Sequence, residues 1–317
     1  MAIKSLSSSS LTNNVFYRSL LAGNAKAFYG AGYVAGGLEG SKVATVDKFS
    51  FPSDSRSTLG TGLSAARSQL SAMANLGVAG YAAGGAEGSV VATVDKFAFP
   101  SDSRSTLGTG LSAARHFTAA MNNAGVAGYV AGGLGPSYVA TVDKFAFPGD
   151  SRTTLGTGLS AVMAFLAAFH NTGVAGYVAG GYDGANSATV NKFAFPSDSR
   201  STLGAGLSAA RRNLAEMNNA GVAGYVTGGI EGTEVTTVNK FAFPSDSRTT
   251  LGTGLSGARR YLAGMSNSGV AGYAAGGGNG SKVATVDKFA FPSDTRSTLA
   301  TGLSAARTEL SGFQDAA

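Results

Sequence analysis

The chain has 317 residues, of which 44% are hydrophobic and 13% are charged, and its net charge is +6. This hydrophobic fraction supports a sizeable core, and the Lys and Arg residues form no run that would predict a nucleic-acid-binding surface. No apolar stretch reaches the roughly 20 residues of a membrane span, so no membrane insertion is predicted. The chain has no cysteine, which excludes disulfides and thiolate metal sites. The Ser-rich N-terminus lacks the apolar core of a signal peptide.

A repeat of 48 residues organises the sequence. A tyrosine followed by a double glycine recurs at that spacing without insertion or deletion, at Tyr33, Tyr81, Tyr129, Tyr177, Tyr225 and Tyr273. A period of 40–50 residues with strand-like segments is typical of propeller blades of four strands each. The sequence therefore predicts an all-β fold, a six-bladed β-propeller over residues 25–317 with four antiparallel strands per blade. Residues 1–24 are predicted to be a separate N-terminal arm.

Four strands are predicted in the second repeat, at about 68–75, 77–83, 90–99 and 105–111. The third is rich in β-branched and aromatic residues, and Pro100 and the Ser and Asp that follow it predict a turn. The first strand has an alternative. Residues 208–219 have a Ser cap, Ala-rich filling and a stop at Gly221, which is typical of a short helix. A helix there would favour an open α+β solenoid.

The first half of the repeat resembles the kelch repeat. The resemblance rests on the order Arg211, Leu214, Met217, Gly221 and Tyr225, followed by the double glycine 228–229. Phe241 stands where kelch repeats have a second tyrosine, and the usual tryptophan is absent from this chain. Membership of this class implies that the Arg-led segment is a β-strand, which supports the closed propeller.

A second resemblance is to propeller-like repeats in virion proteins of marine and cyanobacterial phages. It rests on Gly80-Tyr81, the double glycine 84–85, Val-Asp-Lys-Phe at 94–97 and Leu-Ser-Ala-Ala-Arg at 111–115. Residues 17–24 are also similar to a short leader of such proteins, and the repeats cover roughly nine-tenths of the chain. The resemblance implies a kelch-like propeller that is a non-enzymatic structural or adhesion protein of the virion, in a tail fibre, baseplate or capsid surface.

This resemblance implies a larger assembly in the phage particle. The arm would contact other virion proteins, and a face of the propeller would bind a host-surface glycan or protein. One alternative is a cytoplasmic kelch-like adaptor that docks a peptide or protein partner, and another is a glycan-acting enzyme. Paired carboxylates in a cleft would identify the enzyme.

The candidate chemical motifs favour structural roles. An Asp-x-Arg pair recurs in every repeat, which indicates a turn or an inter-blade ion pair rather than catalysis; the pairs are Asp54/Arg56, Asp102/Arg104, Asp150/Arg152, Asp198/Arg200, Asp246/Arg248 and Asp294/Arg296. The aspartate at position 47 of the first repeat is replaced by Asn191 and Asn239 in two others, which argues against acid–base chemistry. Gly108-x-Gly110 lacks the lysine of a phosphate loop.

Neither a metal site nor a cofactor is predicted. His116 and His170 lie at different positions of their repeats and have no evident carboxylate partners.

The candidate binding residues lie on one predicted face. The loop after each double glycine varies between repeats and contains Glu39, Glu87, Tyr182, Asp183, Glu231 and Asn279. Antiparallel blades place these loops beside the arginines that begin the first strands, Arg67, Arg115, Arg211, Arg259 and Arg307; the remaining repeat has Met163 there. The arginines either hold an acidic group of a ligand or brace adjacent blades. The loop variation is compatible with recognition or with drift of solvated segments.

The ring is predicted to close with its C-terminal segment. The first-strand pattern occurs a seventh time at 307–313, after the last fourth strand. We expect this copy to enter the first blade beside residues 32–37, which leaves the arm free to anchor the propeller.

Overall fold

The computed structural model describes residues 30–315, which form 24 strands in six sheets and contain no helix. The first three blades contain β1 (Ala31–Ala35), β2 (Val46–Ser50), β3 (Ser55–Thr58), β4 (Ser71–Asn75), β5 (Ala79–Ala83), β6 (Val94–Ala98), β7 (Ser103–Thr106), β8 (Ala119–Asn123), β9 (Ala127–Ala131), β10 (Val142–Ala146) and β11 (Ser151–Thr154). The remaining strands are β12 (Ala167–Asn171), β13 (Ala175–Ala179), β14 (Val190–Ala194), β15 (Ser199–Thr202), β16 (Ala215–Asn219), β17 (Ala223–Thr227), β18 (Val238–Ala242), β19 (Ser247–Thr250), β20 (Ala263–Asn267), β21 (Ala271–Ala275), β22 (Val286–Ala290), β23 (Thr295–Thr298) and β24 (Ser311–Gln314). Within this part of the chain, nothing could cross a membrane as a helix.

Each sheet is an antiparallel meander, and the six sheets form a six-bladed propeller, as the sequence predicts. Blades 2 to 6 contain β4–β7, β8–β11, β12–β15, β16–β19 and β20–β23, in the order innermost to outermost. The strands are shorter than predicted. The fourth strand of blade 2 is Ser103–Thr106 instead of 105–111, so Gly108-x-Gly110 lies in the connection that follows it.

The first segment of each repeat is a strand and not the alternative helix. In blade 2, β4 pairs with β5 from Ser71 to Asn75, and all five of its residues are buried. These strands line the central channel, where each lies beside the first strands of both neighbouring blades. A helix with its side chains is about 10–12 Å wide, whereas paired strands lie about 4.7–4.9 Å apart. A strand therefore allows six segments to pack more closely around the axis than six helices could, and the small residues that are typical of a helix allow this close packing.

The C-terminal segment closes the ring, as predicted. Strand β24 pairs with β1, with Ala35 opposite Ser311 and Gly32 opposite Gln314, so blade 1 consists of β24, β1, β2 and β3. The blade thereby joins the two ends of the described chain and leaves no open sheet edge at the axis. The predicted arm, residues 1–24, lies outside the described residues.

Neighbouring blades interlock through a large residue and a glycine. The third residue of each innermost strand packs against the glycine that precedes the repeated tyrosine in the next blade, as Met73 does against Gly128 and Phe169 against Gly224. An added Cβ at either glycine would overlap the opposing side chain. A large side chain on one sheet thus fills the space that a glycine leaves on the next sheet, which gives the close packing of a protein interior.

A polar clamp also links neighbouring blades. Tyr33 Oη donates a hydrogen bond of 2.7 Å to Asp102 of the next blade, and Lys48 Nζ contacts the same carboxylate at 2.6 Å. Equivalent contacts are made to Asp150, Asp198, Asp246, Asp294 and Asp54. The recurrent aspartates therefore have the structural, inter-blade role that the sequence favours. Their partners are lysine and tyrosine, whereas Arg56 contacts Thr58 within its own blade.

The interlock predicts a graded effect of glycine substitution. Gly224→Ala should destabilise the protein by about 1–3 kcal/mol, since the rigid Phe169 ring cannot yield without moving a blade. Gly128→Ala should cost less, because the end of the Met73 side chain is flexible. Gly108→Ala is the control, since an added Cβ there meets no atom within 4 Å. Urea denaturation measures the three free energies of unfolding; equal values would contradict the interlock.

Candidate functional site

The variable loops share one face of the propeller with the connections between blades. We call this the loop face; it contains segments such as 84–93, between the second and third strands, and 107–118, between consecutive blades. Backbone pairs join the two kinds of segment, including Ser68 with Ala86 and Ala164 with Tyr182. The opposite face, which we call the turn face, contains the short turns such as 76–78 and 99–102.

The repeated arginines lie inside the propeller. Arg67 is completely buried, and its guanidinium contacts Asp95 at 3.0 Å and the backbone oxygen of Ala82 at 3.0 Å. Its own backbone oxygen accepts a hydrogen bond from Gly37 of the preceding blade, so the residue bridges two blades. Arg115, Arg211, Arg259 and Arg307 are buried in the same way. Burial lowers the pKa of Arg67, and the negative charge of Asp95 opposes that shift.

The buried arginines are therefore braces. Of the two roles that the sequence left open, holding an acidic group of a ligand requires accessible guanidinium groups. These guanidinium groups are enclosed and already paired, so a ligand on the loop face cannot reach them. This applies to Arg67, Arg115, Arg211, Arg259 and Arg307.

Two blades depart from the arginine–aspartate pair. Met163 replaces the arginine in blade 4, and the residue that would face its charge is Asn191 instead of aspartate. A buried carboxylate without its partner is strongly destabilising, so loss of both charges is the tolerated combination. In blade 5, Arg211 remains but faces Asn239 at 2.8 Å, and Glu231 supplies the negative charge at 3.5 Å. Burial lowers the pKa of Arg211 to about 10.

The predicted polar residues of the variable loops fall into two groups. Glu39 and Glu231 are half-buried within 4.0 Å and 3.5 Å of the braces Arg307 and Arg211, and Glu87 is half-buried too. Reversing the charge at Glu231 would place a lysine beside a buried guanidinium, so that change would alter stability as well as recognition. Asp183 and Asn279 are exposed at their loop tips and remain free to contact a partner.

An aromatic cluster at the mouth of the channel was not predicted from the sequence. Phe117 and Phe165 have ring centroids 4.0 Å apart, and Tyr261, three blades away from Phe117, lies 6.1 Å from it. The predicted Tyr182 meets Phe165 edge-on at 6.3 Å and lies under the Arg212 guanidinium at 4.5 Å. The signal was present in the sequence, because the second residue after each brace position differs between repeats: Gln69, Phe117, Phe165, Asn213, Tyr261 and Glu309.

These six mouth residues form a closed ring of backbone hydrogen bonds. The N–H of each donates to the carbonyl of its counterpart in the preceding blade at 2.8–3.1 Å, from Gln69 to Glu309 and onward around the axis. All six have positive φ, between 52° and 63°. Glycine adopts this left-handed conformation readily and asparagine tolerates it, but it is unfavourable for most other residues. The mouth is thus a rigid ring of six residues that displays five different kinds of side chain.

Below the mouth, the channel wall carries two titratable side chains, Glu216 and His170. The sequence predicts no role for Glu216 and no carboxylate partner for His170. Glu216 and His170 line one small hollow with residues of the other innermost strands. Glu216 is partly accessible to the lumen, but the blades enclose it, and this burial raises its pKa to about 8. Burial lowers the pKa of His170 to about 4. Across residues 30–315, no three His, Asp or Glu side chains are grouped so as to hold a metal ion.

The Arg–Asp braces predict a strong coupling energy. Arg67→Met should destabilise the protein by about 3–5 kcal/mol, because it leaves Asp95 buried without its partner. Adding Asp95→Asn should restore much of that loss, since the double variant reproduces the pair that blade 4 already contains at Met163 and Asn191. Chemical denaturation of the two single variants and the double variant gives the coupling energy. Additive losses would show that the two side chains do not act as a pair.

The channel carboxyl predicts a pH-dependent stability. The pKa of Glu216 is raised in the folded protein, so its contribution is complete at low pH and is lost as pH rises through about 8. Relative to Glu216→Gln, the unmodified protein should therefore become progressively less stable between pH 5 and pH 9. His170 acts in the opposite sense, since its contribution disappears as pH falls towards 4. Denaturation at stepped pH measures both, with Val126→Ala on the turn face as a control that removes and adds no titratable group.

Comparison with known proteins identifies a fold and no family. No protein-family profile matches the chain, and no curated protein matches its sequence. Among solved structures, the chain is similar to that of YjhT, with a TM-score of 0.64 and 14% identity over 78% of this chain and 87% of that one. At this identity the similarity establishes the β-propeller architecture alone.

Proposed function

We propose that this protein is a non-enzymatic binding module of a phage virion, located in a tail fibre, baseplate or capsid surface. In this role the propeller is a rigid support, and its loop face contacts a glycan or protein on the host. The proposal draws its location from the resemblance of the repeats to those of phage virion proteins, and the same resemblance assigns residues 1–24 to contacts with other virion proteins.

The observation that carries the binding role is the distribution of differences among the six repeats. The clamp of tyrosine, lysine and aspartate is identical in all six blades, and five blades keep the arginine brace. The mouth residues and the loop tips, by contrast, differ in size, charge and aromaticity. Drift of solvated loops explains variation at exposed Asp183 and Asn279. It does not explain aromatic side chains at the half-buried Phe117, Phe165 and Tyr261, where the backbone disfavours them.

We propose no catalytic role because the ionisable side chains that could take part in catalysis make contacts that stabilise the fold. The repeated aspartates are committed to clamps and braces. His116 contacts Gln69 Oε1 through Nδ1 at 2.5 Å, and His170 is buried in the channel wall. Glu216 has no second carboxylate among the residues that line its hollows, so the paired carboxylates of a glycan-acting enzyme are not present there.

The loop face can be tested as the contact surface by adsorption of the labelled full chain to host cells. Tyr182→Ala combined with Asp183→Asn should reduce adsorption severalfold while lowering the melting temperature only slightly, because Asp183 is exposed and Tyr182 is only half-buried. The control is Val126→Ala combined with Val174→Ala, which changes exposed residues of the turn face. Loss of adsorption in the control alone would assign contact to the turn face instead.

The location is tested by mass spectrometry of purified particles. We expect the chain in particles of the phage that encodes it, at a stoichiometry that matches a symmetric virion component. Its recovery only from the soluble fraction of the cell, bound to a cellular protein, would favour the adaptor.

A further inference from the structure

The mouth of the channel on the loop face has an aromatic part and a polar part. The rings of Phe117, Phe165 and Tyr261 lean together across the axis. Beside them, Gln69 Nε2 donates to Glu309 Oε2 at 2.8 Å, and Ser68 Oγ donates to the same oxygen at 2.9 Å. Each group of side chains is held together by its own contacts, so the mouth presents a fixed amphipathic surface.

The aromatic side chains are not required by the fold. At the same position Asn213 adopts φ of 60° and takes part in the same backbone ring, in a conformation that asparagine tolerates better. Phe117, Phe165 and Tyr261 adopt 52°, 61° and 57° and carry the larger strain. Strain of this kind concentrates at functional sites, where another requirement outweighs it. At the mouth, these three side chains provide a partly exposed apolar surface, and we take this surface to be the requirement that outweighs the strain.

The shape of the mouth determines how a ligand can lie on it. The hollow lined by the six mouth residues has a volume of about 60 Å³. Pockets for drug-sized ligands measure roughly 300–1,000 Å³, so a ligand ring cannot enter the channel. It would lie over the mouth, against the exposed parts of the aromatic side chains, with its edge towards the surrounding polar side chains.

The charges around the mouth disfavour polyanionic ligands. A nucleobase could stack on the rings, but its phosphates would meet the Glu309 carboxylate. Two arginines lie beside the aromatic cluster: Arg260 is engaged by Glu234 at 3.4 Å, and Arg212 donates to the uncharged Asn186 Oδ1 at 2.6 Å. These cations are too few to offset several phosphates next to a carboxylate.

An uncharged ring with one apolar face and hydroxyl groups around its edge fits these features. We propose that the loop-face mouth is a saccharide site, in which the C–H face of one pyranose ring packs on the exposed parts of Phe117, Phe165 and Tyr261. Its hydroxyl groups then exchange hydrogen bonds with the amide of Gln69 and the carboxylate of Glu309. This inference rests on the proposed function, which requires a partner at the loop face, and it specifies the neutral sugar as the ligand class.

Saturation-transfer NMR of the full chain tests the site with the methyl glycosides of glucose, galactose, mannose and N-acetylglucosamine. We expect at least one glycoside to receive saturation, strongest at the ring protons of one face. Phe117→Asn combined with Phe165→Asn should weaken that binding about tenfold or more, since two ring contacts are lost. Asparagine suits the backbone at these positions, as Asn213 shows, so the melting temperature should not fall.

Two further variants separate stacking from stability. Phe165→Tyr keeps the ring and should retain binding, whereas Val126→Ala on the turn face should change nothing. Absence of saturation transfer to all four glycosides would overturn the saccharide site, as would binding that survives the double asparagine variant. The proposed function would stand in either case if the Tyr182 and Asp183 variant still loses adsorption to host cells. It would fail separately if that variant adsorbed normally.

Discussion

Each blade is held to the next by contacts whose two residues stand at a fixed separation in the sequence. The clamp joins a tyrosine to an aspartate 69 positions later and a lysine to the same aspartate 54 positions later, and the last blade completes the pattern through Asp54. The interlock of Met73 with Gly128 has the same offset as that of Phe169 with Gly224. An insertion inside one of the strands that carry these residues would displace the contacts of that interface. The uniform 48-residue repeat keeps the contacts equivalent at every blade interface.

This constraint also explains which parts of the framework can change. Removing Arg67 alone would leave a buried carboxylate, but the joint presence of Met163 and Asn191 shows that a brace can be discarded as a pair. Blade 5 shows an intermediate arrangement, in which Arg211 remains and Glu231 of the loop takes over part of the compensation. The loop acid there is bound to the framework, which is why membership of a variable loop does not by itself identify a binding residue.

Much of the architecture could be predicted from the sequence because it depends on periodicity and local chemistry. The spacing of Tyr33 and its copies predicts six blades, and Pro100 with the residues after it predicts the end of a strand. The burial of Arg67 could not be predicted in the same way, since it depends on Asp95 and on a backbone oxygen of a neighbouring strand. The convergence of Phe117 with Tyr261 depends on three blades turning about an axis, and no local pattern encodes that distance.

The same geometry explains why a site should form at the axis. A ring of identical repeats presents six equal surfaces, and a substitution in an outer loop stays isolated from its counterparts. Near the axis, side chains from blades that are not neighbours also touch, as Phe117 and Tyr261 do, so changes in separate repeats can combine into one asymmetric surface. The mouth residues meet this condition, because a rigid ring of backbone hydrogen bonds fixes their positions while their side chains differ. Symmetric closure thus supplies the precision of the proposed site, and departures from symmetry at six equivalent positions supply its chemistry.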